Sequence, residues 1–158
     1  MDLRITVLKH DDNDTIKACA SLMSSSEPWK TLGRTFDESV HILTDSGSES
    51  YVFYSGKHLV GFAVLVMHGA LVGFIKNIAV VPEWRNRGLG REAIRLLEKR
   101  IFSDHPNVFL CVSSNNRAAQ RFYRKLGYEK IGEIPDYVVE GHSEWIMRKT
   151  LGPKTGFY

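Results

Sequence analysis

This chain is poor in cysteine and proline, and it has no large excess of one charge. Its 158 residues include only two cysteines and five prolines. Cys19 falls in a predicted helix and Cys111 in a predicted strand, and the pair makes no zinc or redox pattern. His142 has no partners at metal-ligand spacing, so no metal site is expected. Twenty-one basic residues face 18 acidic ones, interspersed, for a formal charge of +3. That balance gives no basic stripe of the kind that binds nucleic acid. No secretory apolar segment follows Met1, and the one uncharged run of 18 residues, His58 to Ile75, is split by the turn at His68-Gly69 into two predicted strands, so no membrane span is expected. A cytoplasmic protein with no membrane or nucleic-acid partner is therefore expected. There is no internal repeat, low-complexity tract or linker. The expected organisation is one domain over residues 1–150 and a tail over 151–158, long enough to bury about two-thirds of its surface.

The most informative segment is Val81–Leu97, VPEWRNRGLGREAIRLL. An apolar, β-branched run ends just before it. After it, Leu89, Ala93, Leu96, Leu97 and Ile101 recur at helical spacing. Gly88 and Gly90 sit at the junction, where the absence of Cβ permits unusual dihedrals and close approach of a ligand. The free amides of a helix's first turn, aided by its dipole, are a phosphate receptor. Arg85, Arg87 and Arg91 add positive charge at the same point. A solvated basic loop fits the glycines alone equally well. The pattern lacks the third glycine of a dinucleotide-binding fingerprint at position 93 and the G-K-S/T of a P-loop.

Periodicity and turn residues predict strands over 3–8, 52–54, 59–67, 70–81, 107–112, 128–134 and 144–150. They predict helices near 12–24, 36–44, 88–103 and 116–126, the second capped by Thr35 and the fourth by Ser114 or Asn115. Gly127 fits the left-handed position that ends the fourth helix. Interspersed helices and strands with antiparallel hairpins indicate a mixed α/β (α+β) domain.

Arg85-Asn86-Arg87-Gly88-Leu89-Gly90 resembles the acyl-coenzyme A signature Q/R-x-x-G-x-G/A of the GNAT N-acetyltransferases. A second element, Asn116 to Tyr128, is similar to that family's N-x-x-A-x-x-h-Y-x-x-x-G-F/Y pattern. The resemblance covers about positions 3–150 and is nearest, in size and motif order, to the ribosomal-protein alanine acetyltransferase branch. It implies a three-layer fold with a central six- or seven-stranded mixed sheet and helices on both faces. It also implies acetyl-coenzyme A as acyl donor, its diphosphate held by the amides of Arg87, Gly88 and Leu89 to Gly90 beside Arg91. Backbone at Ile78 and Val80 would pair with the pantetheine arm, and Asn116 would contact that arm or cap its helix. Tyr123 would protonate the departing thiolate, unless it only packs the core.

The implied reaction is direct attack of a primary amine on the thioester in a ternary complex. The acceptor is a small molecule or a peptide or protein amine. A lysine amine of pKa about 10.4 is protonated by roughly 3.4 units at pH 7, or about 4.6 kcal/mol, so proton removal matters. That branch of the family carries a glutamate in the strand before the second element. Here the position is Cys111, which is no simple base, and Glu27, Glu83, Glu144 or His142 could act only through water. For the acceptor groove, Trp29 and Tyr137 are the expected walls, Asn77 a water-orienting group, and Asp136 with Glu140 a cation-attracting pair. Core packing or turn formation explains each of these equally well. Another acyl donor or amine class, or a coenzyme A sensor without activity, remains as the alternative, and monomer and homodimer are both compatible.

Overall fold

The computed structural model describes residues 2–157. Met1 and Tyr158, the outer limits of the expected domain and tail, lie outside the described residues. The elements run β1 (Leu3–Val7), α1 (Asn13–Ser25), α2 (Phe36–Leu43), β2 (Glu49–Ser55), β3 (His58–Val66), β4 (Phe74–Val80), α3 (Leu89–Phe102), β5 (Asn107–Ser113), α4 (Arg117–Lys125), β6 (Glu129–Pro135) and β7 (Ser143–Thr150). The strands form one seven-stranded sheet in the order β1-β2-β3-β4-β5-β7-β6. Only β4 and β5 run parallel; every other neighbouring pair is antiparallel.

Alternation along the strands builds two cores. On one face, Val108, Leu110 and Val112 of β5 and Met147 of β7 pack with Leu89, Ala93, Ile94, Leu97 and Ile101 of α3, and Tyr123 of α4 lies against them. On the other, Val52, Phe62, Val64 and Ala79 meet Ile16, Cys19, Ala20 and Met23 of α1 and Leu43 of α2. The result is the mixed α/β, three-layer arrangement expected, with helices on both sheet faces. No helix among the described residues is long and apolar enough to cross a membrane.

Local chemistry explains the element ends. Thr35 caps α2 in a reciprocal capping box with Glu38. At α4 the cap is neither Ser114 nor Asn115 but Asn116, whose Oδ1 accepts from the Ala119 amide at 3.1 Å. The reason is that Asn115 accepts instead from the Ser113 hydroxyl at 2.7 Å, which ties it to the end of β5. Gly127, at φ +95°, closes α4 as expected, with its amide on the Arg124 carbonyl at 3.0 Å. The strand expected over 70–81 starts only at Phe74. Gly73 has φ +86°, and a Cβ there would stand 2.3 Å from the Asn107 carbonyl oxygen. That close approach lets the Gly73 carbonyl accept from Phe109 at 2.9 Å, which sets β5 beside β4.

A buried carboxylate ties the α3 layer to the sheet. Glu98 is 7% exposed, accepts from the Tyr128 hydroxyl at 2.9 Å and pairs with Lys149 at 2.9 Å. Removing one member of such a buried set strands the others without partners, which costs about 1–3 kcal/mol. Glu98→Ala is therefore expected to lower the unfolding free energy by at least about 2 kcal/mol in urea titration. A loss no larger than that of an exposed alanine substitution would contradict this role.

Candidate active site

The parallel β4–β5 pair is joined at only two positions, Phe74 opposite Phe109 and Ile75 opposite Leu110. Beyond them the strands part, while β4 stays paired to β3 as far as Val80 opposite Gly61. Backbone groups alternate sides along a strand. The Val81 amide donates to Val60 of β3 at 2.8 Å, so Asn77 and Ala79 direct their backbone groups to β3. Ile78 and Val80 direct theirs into the gap. The Val80 carbonyl confirms this direction, because it accepts there from Arg85 Nε at 2.9 Å. The edge beside Ile78 and Val80 thus has no strand partner, and the Val80 carbonyl is engaged there only by the Arg85 side chain, which leaves room for an extended ligand.

The gap leads to the start of α3. Gly88, the residue before the helix, has φ +81° and ψ 0° and supplies no side-chain cap. A Cβ at Gly88 would meet nothing within 4 Å, so the space over these first-turn amides is open. Asn86 is also left-handed, at φ +60°, a conformation asparagine tolerates. Gly90 lies against α4: a Cβ there would be 3.5 Å from the Phe122 ring. Arg87 stacks over the Trp84 ring at 5.0 Å, and His58 backs that ring at 5.6 Å. Arg91 is exposed beside them. An uncapped, glycine-entered helix start with open space and flanking arginines fits a diphosphate. The Trp84 and His58 support was not foreseen, although the W-x-x-R spacing of Trp84 and Arg87 could have suggested the stacking.

Tyr123 of α4 packs on the same core layer as Ile78 and Val80. Its ring sits edge-on to Tyr128 at 5.6 Å and Phe122 at 5.1 Å. The hydroxyl has no hydrogen-bond partner among the described residues, and desolvation pushes its pKa up to about 12. It is therefore a held proton donor at neutral pH.

The opposite sheet face carries the expected acceptor residues. Asn77 is 7% exposed, and its Oδ1 is buried without a partner. Trp29 is 9% exposed and packs 6.1 Å from Phe62, so its side chain lies in the core rather than on a groove wall. Asp136, at φ +51°, accepts from the Gly141 amide at 2.6 Å and so closes the β6–β7 turn. Tyr137 is 64% exposed at the tip of that turn. A cleft of about 660 Å³ lies between the turn and α2, lined by Leu32, Arg34, Asp37, His41, Ile42 and Val138. Cys111 is half-buried, with its thiol pushed up to about 11 by desolvation and the nearby Glu144 charge. Among the described residues no cluster of three or more metal-ligating side chains occurs.

An open helix start, a strand edge without a strand partner and a protonated phenol make a site whose shape and charge fit a diphosphate-bearing thioester. Residues 16–128 match the acetyltransferase (GNAT) family, and the chain belongs to it. A Mycobacterium leprae protein is 31% identical over 147 residues, which are 85% of this chain and 38% of that protein. The N-alpha-acetyltransferase RimI of Mycobacterium tuberculosis is 33% identical over 102 residues, 62% of this chain and 63% of RimI. The chain thus spans less than two thirds of these two curated relatives. The aminoglycoside 6'-N-acetyltransferase of Enterococcus faecium shares the fold, with TM-score 0.72 at 16% identity over 95% of this chain and 98% of that one.

The Tyr123 environment has a direct check. Its folded pKa of about 12 lies above the ordinary value near 10, so the unfolded chain loses this proton first and stability falls as pH rises through that interval. In an alkaline absorbance titration, Tyr123→Phe is expected to remove a late-ionising phenol. Loss of a phenol that titrates near 10 would contradict the assigned burial.

Proposed function

We propose that this protein transfers an acetyl group from acetyl-coenzyme A to a primary amine by direct attack in a ternary complex. Residues 1–150 would act as a single N-acetyltransferase domain, with 151–158 as a tail, in the cytoplasm. The observation that carries the reading is the parted β4–β5 pair leading to the uncapped start of α3. Amides from Arg87 to Gly90, with Arg91, would hold the diphosphate, and the Ile78–Val80 edge would hold the pantetheine arm. Asn116, already the cap of α4, would border that arm. When bound, acetyl-coenzyme A supplies an activated acyl carbon and a thiolate leaving group.

Tyr123 faces a quantitative constraint. A phenol near 12 is roughly 3.5 units less acidic than an ordinary thiol near 8.5, a gap of about 5 kcal/mol. Full transfer of its own proton ahead of replacement is therefore uphill. Its effective contribution is a hydrogen bond to the sulfur as charge develops, with the proton given up only as another arrives from the nitrogen.

The acceptor we favour is the α-amine of a peptide or protein. Near pKa 8 it needs only about 1.4 kcal/mol to be neutral at pH 7, against about 4.6 for lysine. The relative named N-alpha-acetyltransferase supports that choice. Asn77 and Tyr137 would border the acceptor, and Asp136 would shape the turn beside it.

Two variants separate binding from chemistry. Gly88→Val places a side chain over the amides at a left-handed position and should weaken coenzyme A binding at least tenfold by calorimetry. Tyr123→Phe should keep the Kd for coenzyme A and lower kcat about 10²-fold, read as product mass and free thiol with an alanine-initiated peptide. Equal turnover in Tyr123→Phe would reject its role, and unaltered binding in Gly88→Val would reject the diphosphate site.

A further inference from the structure

Acyl transfer to an ammonium requires a group that removes a proton, and neither Tyr123 nor Cys111 can serve. A phenol and a thiol are already protonated at neutral pH, and desolvation raises both pKa values further, to about 12 and about 11. The sheet register identifies a different group. Val112 and Met147 point into the α3 core, so the alternate residues Cys111 and Ser113 of β5 and Glu144 and Ile146 of β7 share the opposite face. Glu144 stands directly across from Ser113, and Ile146 directly across from Cys111. The core under α1 and α2 draws its strand residues from β2, β3 and β4 and includes none from β5 or β7. This part of the face is thus left open beside α1 and α2. It lies next to the β4–β5 gap, with Asn77 on the far side of that gap and the β6–β7 turn at its rim.

Glu144 is half-buried here, and its carboxylate has no hydrogen bond or ion pair among the described residues. We propose that Glu144 of β7 is the base that takes a proton from the acceptor ammonium, working across Cys111 at the open face beside the gap. The inference rests on the acetyl-transfer reading above. The ammonium gives one proton to the Glu144 carboxylate, which later releases it to solvent. As the nitrogen–carbon bond forms and the carbon–sulfur bond breaks, Tyr123 gives its hydroxyl proton to the departing sulfur and its oxygen takes back the second proton of the nitrogen, so that amide and free thiol leave and the phenol is restored.

The surroundings suit this task. Burial raises the Glu144 carboxyl above the usual carboxylate range, nearer to an α-ammonium of about 8. On β5 the ionisable neighbour is Cys111, whose thiol responds to the Glu144 charge. β6 presents Ile134 directly opposite, and β4 presents the neutral Asn77. On β7 itself Arg148 lies further along the same face, exposed, and His142 is exposed in the turn before the strand. Among the described residues no cation pairs with the carboxylate, which leaves it free to act. Asn77, with its unpartnered amide oxygen, can hold an N–H of the same acceptor or of a bridging water.

The test compares wild type with Glu144→Gln and Glu144→Asp, using acetyl-coenzyme A and an alanine-initiated peptide. Glu144→Gln should lower kcat about 10²-fold or more at pH 7 while the Kd for coenzyme A stays constant. Wild-type kcat/KM should show an acid-side limb from the carboxyl. In Glu144→Gln that limb should give way to a tenfold rise per pH unit up to the amine's own pKa. Glu144→Asp should restore part of the rate. The thermal midpoint of Glu144→Gln at pH 7 should be unchanged or higher, because an ionised, desolvated and unpaired carboxylate costs stability there. A Glu144→Gln rate within threefold of wild type with the same pH profile would overturn Glu144 alone. So would a rate loss that tracks a fallen midpoint and weakened coenzyme A binding. Absence of product from the wild-type protein would overturn this inference and the acetyl-transfer reading together.

Discussion

Two cross-strand pairs, Phe74 with Phe109 and Ile75 with Leu110, are all that join the halves of the sheet through a parallel contact. This short contact is the constraint on which the rest depends. A longer ladder would consume the backbone groups of Ile78 and Val80 and seal the floor between the two faces. A shorter one would detach β5–β7–β6 from the core beneath α3. Gly73 sets the balance: its lack of a side chain lets β4 meet β5 closely at one end, and the strands diverge from there. One fold-level feature therefore supplies a strand edge for a ligand and a passage between the faces of the sheet.

The polar groups divide in the same way. Where the chain needs rigidity its polar groups are paired, as with buried Glu98 and Tyr128 and half-buried Lys149, or with half-buried Arg100 against Glu49 at 2.6 Å. Around the passage they are not. The first-turn amides of α3 have no side-chain cap, the Asn77 oxygen has no partner, and Glu144 and Tyr123 are desolvated without one. An unsatisfied buried polar atom costs about 1–3 kcal/mol; two occur among the described residues, Asn107 Oδ1 at the far end of β5 and Asn77 Oδ1 beside the passage, and the latter with the uncapped α3 amides suits a ligand there.

Much of this was legible from residue order. The helix start at Gly88, the cap at Thr35 and the stop at Gly127 follow from local rules that depend on a few adjacent residues. The family resemblance rested on the segments around Gly88 and Asn116, both of which lie in the matched region. What escaped was set by tertiary contact. The late start of β4 depends on Gly73 meeting Asn107, which is remote in sequence. Trp29 carries an amphipathic side chain that suits a groove or a core equally, and its contact with Phe62 appears only in three dimensions. Glu144 had no motif to mark it; its face is set by the register of β7 on β5.

Amide hydrogen exchange with and without coenzyme A tests the central claim most directly, because it reads the backbone groups said to bind it. Ligand at saturation should slow exchange at the amides from Arg87 to Arg91 and at Ile78 and Val80 together. Saturable binding that leaves those amides at their free rates, and protects another surface, would contradict the account.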